Sequence, residues 1–153
     1  MKDSKAILIE CVDHLGIRVR DEKRALEFYK MIGFDVYRRA DNDPVIIIRN
    51  ENGIEINLVI NANNPEGDFN ILMDSETKFP GLTHLALRVD SITKAIKYLK
   101  ANGIVITQGP VEFGRDGHIS IFIRDPDRNT IELRGRKETN GEIPGLVPYD
   151  PNV

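Results

Sequence analysis

"VDHLGIRV", Val12 to Val19, sets a histidine inside an alternating apolar stretch, and "LTHLALRV", Leu82 to Val89, repeats the arrangement seventy positions later. The histidine, the leucine after it and the Arg-Val pair four and five places on all return. Shifting the chain by seventy without a gap lays "HLGIRVRDEKRALEFYKMIGFDV" over "HLALRVDSITKAIKYLKANGIVI". His14 then meets His84, Arg18 meets Arg88, Ala25 meets Ala95, Lys30 meets Lys100, and Gly33 meets Gly103. A single histidine in a strand is usually a satisfied structural residue. One that recurs in register with its neighbours marks a duplicated module.

Each module reads βαβββ. In the first, Leu15, Ile17 and Val19 alternate with His14, Gly16 and Arg18, the period of two that a strand requires. Ala25, Leu26, Phe28, Tyr29 and Ile32 follow at helical spacing, and Gly33 supplies the stop. In the second, Ser91 is placed to cap a helix carrying Ala95, Ile96, Tyr98 and Leu99, which ends at Asn102-Gly103. Three strand-like runs come after each helix: "FDVYRRA", "PVIIIRN" and "IEINLVIN", then "IVITQGP", "HISIFIRD" and "TIELRGR". Asp125-Pro126-Asp127 marks the turn before the last of them. The expected fold class is α+β, with two βαβββ modules whose helices pack outside a cupped antiparallel sheet. Module one spans about residues 10–61, a linker 62–80, module two about 81–136 and an irregular tail 137–153, all within one domain. The linker carries Phe69, Ile71, Leu72, Met73 and Phe79, too apolar for a solvated spacer. It is expected to pack over the sheet or at a subunit contact. Ile143, Leu146 and Tyr149 give the proline-rich tail something to bury.

The remaining bounds come from composition. The chain has 153 residues, 41% hydrophobic and 29% charged, with a net charge of −3. That length can bury a core without staples. The mild acidity gives no support to nucleic-acid binding, which needs a concentrated basic surface. One cysteine, Cys11, excludes an intramolecular disulfide and suits a reducing cytosol; its simplest reading is a small core or strand residue. The opening "MKDSKAILIE" has too short an apolar run for a signal peptide. No segment reaches the roughly 20 apolar residues of a membrane helix. A cytoplasmic protein without membrane or nucleic-acid partners is expected.

Strand parity then gathers four side chains. If Leu15, Ile17 and Val19 face the helices, His14 faces the other side of the sheet, and Leu85, Leu87 and Val89 place His84 likewise. In "GIEINLV" the apolar set Ile54, Ile56 and Leu58 leaves Glu55 opposite; in "NTIELRG", Ile131 and Leu133 leave Glu132. Each module thus contributes a histidine from its first strand and a glutamate from its last. Two imidazoles and two carboxylates suit a divalent metal, although charged residues also alternate on solvated sheet faces for solubility alone. His118 shares the parity of Ser120 and Phe122 without a counterpart in module one. Arg18, Arg88 and Arg134 lie on the polar face, where they suit an anionic substrate. The candidate substrate contacts are Arg18, Asn57, His118 and Phe122.

These stretches resemble the vicinal-oxygen-chelate superfamily, which includes glyoxalase I, methylmalonyl-CoA epimerase, extradiol dioxygenases and fosfomycin- and bleomycin-resistance proteins. The resemblance covers about Cys11 to Arg136 and is carried by "DHLGIRV", "GIEINLV", "THLALRV" and "FIRDPDRNTIEL". It implies metal ligands at His14, Glu55, His84 and Glu132, closest in type to bacterial glyoxalase I. It also implies one divalent ion (nickel, cobalt, zinc or manganese), no organic cofactor, a small-molecule substrate and a homodimer. The implied reaction is that of a lyase or isomerase. Substrate oxygens chelate the metal, and Glu132, or failing it Glu55, moves a carbon-bound proton through an enediolate. The hemithioacetal of glutathione and methylglyoxal is the substrate of glyoxalase I, so glutathione enters as a candidate cosubstrate. Arg18 matches an arginine that glyoxalase I uses for glutathione's carboxylate. Val59 stands where that family places an asparagine, and "FPGLT" replaces a basic residue before the second histidine. An acyl-CoA epimerase, an extradiol dioxygenase and a non-enzymatic drug-binding protein are the alternatives within the same superfamily.

Overall fold

The computed structural model describes residues 7–114, 116–138 and 142–151. The first six residues, part of the stretch expected to be no signal peptide, Arg115 and five residues of the tail lie outside them. The chain forms two compact units, Met1–Asn63 and Asn64–Val153. No described helix is long and apolar enough to cross a membrane.

In the first unit, β1 (Leu15–Val19) leads through α1 (Glu22–Met31) to β2 (Phe34–Arg39), β3 (Val45–Asn50) and β4 (Glu55–Ile60). The sheet order is β1-β4-β3-β2. Asp21 begins α1 by accepting the Arg24 N–H at 2.8 Å, filling one of the bonds a helix start leaves open. Gly33, at φ 95°, takes the left-handed turn that ends it. Ala25, Phe28 and Tyr29 are the buried face of the helix. Phe28, Tyr29 and Phe34 pack edge to face, with centroids 5.3 and 6.3 Å apart. Ile46, Ile48, Ile56 and Leu58 complete the core from the same face of the sheet.

The second unit repeats the plan with β5 (Leu85–Arg88), α2 (Ile92–Ala101), β6 (Ile106–Glu112), β7 (His118–Arg124) and β8 (Thr130–Arg136). Its sheet order is β5-β8-β7-β6-β9. Gly135 shows why α2 lies close: a Cβ there would meet Ile92 and Val89 atoms at 3.3 Å. The helix therefore covers the face of β8 bearing Ile131, Leu133 and Gly135, which leaves Glu132 and Arg134 on the opposite face. Ile92 and Leu99 anchor it. Tyr98, expected in that apolar stripe, is instead half-exposed.

The α+β class and the duplicated βαβββ order hold, and within them the sheets are mixed. β1 pairs with β4, and β5 with β8, in parallel; β2–β3–β4 and β6–β7–β8 are antiparallel. The tail is less irregular than expected, because Val147–Pro148 forms β9 in parallel on β6. Ile143 is buried, and the Tyr149 ring lies 4.7 Å from Phe113. Phe69, Ile71 and Phe79 of the linker keep much of their surface exposed. What ties the linker down is polar: Asp74 takes Arg128 through two bonds, at 2.6 and 2.9 Å. Those bonds hold its carboxyl well below the usual range, at about 2. Cys11 is exposed and outside any strand, not a core residue, because β1 starts only at Leu15.

Candidate functional site

Both histidines stand one residue ahead of the first strand of their unit, and both are held the same way. His14 Nδ1 lies 2.7 Å from Asp13 Oδ1, and His84 Nδ1 lies 2.9 Å from Thr83 Oγ1. In each case the partner is the preceding residue, and Asp13 and Thr83 are themselves seventy positions apart. A carboxylate only accepts, so Asp13 draws the proton to Nδ1 of His14, leaving the Nε2 lone pair of a neutral ring for a ligand. Pattern reading passed over these two partners; a polar residue immediately before each histidine was the available signal.

In the second unit a connected polar network follows. His84 Nε2 lies 3.0 Å from Glu132 Oε2, and Ser120 Oγ donates to Glu132 Oε1 at 2.5 Å. Glu132 is buried, where a carboxylate without partners would be costly, and both of its oxygens are engaged. Arg134 Nη1 stands 3.8 Å from Glu132 Oε1, and its Nη2 reaches Asp116 Oδ2 at 2.5 Å. The Asp116 carboxyl is held below the usual carboxylate range, first by the His118 backbone N–H. Arg88 Nη1 lies 2.9 Å from His118 Nε2. A guanidinium can only donate, so that nitrogen accepts and the His118 proton sits on Nδ1, 3.3 Å from Asp116 Oδ1. The Phe122 ring meets the His84 ring edge to face at 5.8 Å. His118 and Phe122 therefore both belong to the face that carries Glu132.

The first unit is sparser. Glu55 does face away from the core, as parity requires, with Ile56 and Leu58 buried beside it. Its carboxylate, however, takes Arg49 Nη2 at 2.6 Å, and that guanidinium lies 3.6 Å over the Tyr37 ring. Glu55 holds the Arg49 group more firmly protonated than usual. Asn57 shares the face two residues on; its Oδ1 is buried and has no hydrogen-bond partner. Such an atom costs about 1–3 kcal/mol when nothing satisfies it. Arg18 is exposed and donates to Asn61 Oδ1 at 3.0 Å.

The structure thus brings His84 and Glu132 together, and engages His14 and Glu55 with Asp13 and Arg49. Within each unit, among the described residues, no three His, Cys, Asp or Glu side chains converge. The first unit offers His14 with a presented Nε2 and oxygen donors on the same sheet face, and the second offers His84 Nε2 already set against Glu132 Oε2. Imidazole nitrogen with carboxylate or amide oxygen is a donor set that suits a borderline divalent cation. The residues fit such an ion as half-sets.

Known proteins resemble this chain in sequence and in fold. Residues 12–133 match the family model described as Glyoxalase/Bleomycin resistance protein/Dioxygenase superfamily. The virulence protein STM3117 of Salmonella typhimurium is 31% identical over 135 residues, covering 86% of this chain and 88% of that one. A probable lactoylglutathione lyase of Vibrio cholerae is 29% identical, covering 86% of this chain and 95% of its own. Among solved structures, a glyoxalase family protein from Enterococcus faecalis superposes with a TM-score of 0.67 at 25% identity, covering 82% and 97% of the two chains.

Proposed function

The chain belongs to the glyoxalase/bleomycin resistance protein/dioxygenase superfamily, and from that premise we propose a metal-dependent lyase or isomerase, working as a cytoplasmic homodimer. Its substrate is a small molecule of the class formed by a thiol and a ketoaldehyde, with glutathione as the candidate thiol. The observation that carries this reading is the buried Glu132 carboxylate, aimed at His84 Nε2 by Ser120. The relative named as a probable lactoylglutathione lyase supports the choice of reaction.

A divalent ion held by the pair each unit offers, a histidine and an oxygen donor, would supply Lewis acidity toward adjacent substrate oxygens. The other roles fall to the chain. Ser120 fixes Oε1 of Glu132, so Oε2 is the atom that accepts the carbon-bound proton and returns it to the neighbouring carbon. Asp13 and Thr83 hold the two imidazoles in one orientation. Phe122, packed against His84 and, at 6.2 Å, against Phe113, keeps an apolar wall beside the carboxylate. Arg88, paired with a neutral histidine, retains its charge for an anionic part of the substrate.

Glu132→Gln tests the base. It preserves the side-chain shape and an acceptor for Ser120, and turnover of the glutathione–methylglyoxal hemithioacetal should fall about 10²–10⁴-fold. Turnover equal to that of the parent would remove Glu132 from the reaction. Elemental analysis of parent protein purified without a metal-affinity tag should find a divalent metal.

A further inference from the structure

Strand pairing, more finely than parity, shows which residue of β4 occupies the place that Glu132 holds on β8. In the second unit Leu85 pairs with Ile131 and Ala86 with Glu132. In the first, Leu15 pairs with Ile56 and Gly16 with Asn57. Gly16 and Ala86 are each two residues past their histidine, so the counterpart of Glu132 is Asn57. Glu55 corresponds to Thr130, one pleat away along the strand. Both Glu55 and Asn57 satisfy the alternation, and only the register separates them.

Two further observations distinguish the pair. Glu55 is committed to Arg49 at 2.6 Å and would have to give up that charge-assisted bond to bind anything else. Asn57 Oδ1 is buried with no partner, and the space over neighbouring Gly16 is open, with nothing within 4 Å of where a Cβ would stand. A buried amide oxygen beside open space awaits a donor or a cation.

We infer that the first unit presents Asn57, and not Glu55, as its oxygen donor to a metal, so that its pair, His14 with Asn57, carries no carboxylate. This rests on the metal-dependent reading above and sharpens it. A neutral imidazole and an amide oxygen leave a dication's charge undiminished, where a carboxylate at Glu55 would offset part of it. Such a pair favours a substrate that presents a negatively charged oxygen, and it holds no group able to act as a base, which leaves that role to Glu132.

The test is metal affinity, independent of turnover. Metal-stripped parent and variants are titrated with cobalt(II) and zinc(II), followed by equilibrium dialysis and the cobalt visible spectrum, with thermal unfolding of each metal-free protein as a control. Asn57→Ala should weaken binding at least about tenfold and leave the metal-free protein no less stable, since it removes an unsatisfied atom. Glu55→Gln should bind like the parent, and Asn57→Asp should bind more tightly. Loss of metal in Glu55→Gln, with or without loss in Asn57→Ala, overturns the inference while the metal-dependent reading stands. So does unchanged affinity in both. A parent that binds neither ion overturns the reading and the inference together.

Discussion

The two units are built to one plan and finished differently. Each begins with a strand whose leading histidine is steadied by the residue before it, and each closes that strand in parallel onto the last strand of its module. In the second unit the sheet face behind the histidine carries a run of contacting polar groups, from His84 through Glu132, Ser120, Arg134 and Asp116, which accepts the His118 backbone N–H, to the His118 ring and Arg88. In the first, the corresponding face has an ion pair between Glu55 and Arg49, a glycine, and an amide with a bare oxygen. The backbone register is a scaffold that survives duplication, while the chemistry on it is set residue by residue. Equal position does not mean equal role.

The core offers the severest test of that equivalence. Ile56 and Ile131 hold the same register position, opposite Leu15 and Leu85, and both are fully buried. Substituting either with alanine should cost about 2–5 kcal/mol by denaturant unfolding. Ile131→Ala should be the costlier, because the tight seat of α2 on Gly135 leaves less room to relax. A cost below about 1 kcal/mol at either position, the range of a surface change, would break the claim that both modules use one core plan.

The helix starts sharpen the contrast. Asp21 and Ser91 are equivalent caps, each accepting the backbone N–H three residues on. Ser91 also donates to Glu138 at 2.6 Å and holds that carboxyl below its usual range. Asp21→Ala should cost about 1 kcal/mol and Ser91→Ala nearer 2, read as thermal unfolding of the two variants. Equal losses would mean that the Glu138 bond adds nothing.

The smallest expected effect concerns acid. Asp74 titrates at about 2, below its ordinary 3.8, chiefly through its bond to Arg128. A depressed folded-state value stabilises the fold above pH 3.8, and that stabilisation is lost as pH falls toward 2. Solvent screening brings it to on the order of 1 kcal/mol. Asp74→Asn should therefore be less stable than the parent near neutrality, and the gap should close over that interval. A gap that persists at pH 2 would assign the loss to shape and not to charge.

How far the sequence discloses this molecule depends on the period being read. Alternation of apolar residues gives each strand's faces, and on that basis the βαβββ order, the helix stop at Gly33, the cap at Ser91 and the outward aspect of Glu55 and Glu132 are all legible. Alternation repeats every two residues, so it cannot tell Glu55 from Asn57. That distinction lies in which residue pairs with which across strands far apart in the chain. The Arg49–Glu55 and Asp74–Arg128 pairs are invisible for a related reason, since long side chains meet by reach and leave no periodic trace. Tyr98 and Cys11 misled because apolar character was taken for burial, and single exposed apolar residues are ordinary.

The parallel closure of each module bears on how the protein is made. β1 is an edge strand whose one neighbour in the sheet is β4, the last strand of its module, and β5 stands in the same relation to β8. On the ribosome, each histidine therefore emerges first and finds its sheet partner only when the rest of its module has been synthesised. At about 5–20 residues per second, that wait lasts seconds. The residues that open a module are committed by the residues that finish it, so a nascent chain cut short of β4 or β8 has its histidine but no sheet to hold it.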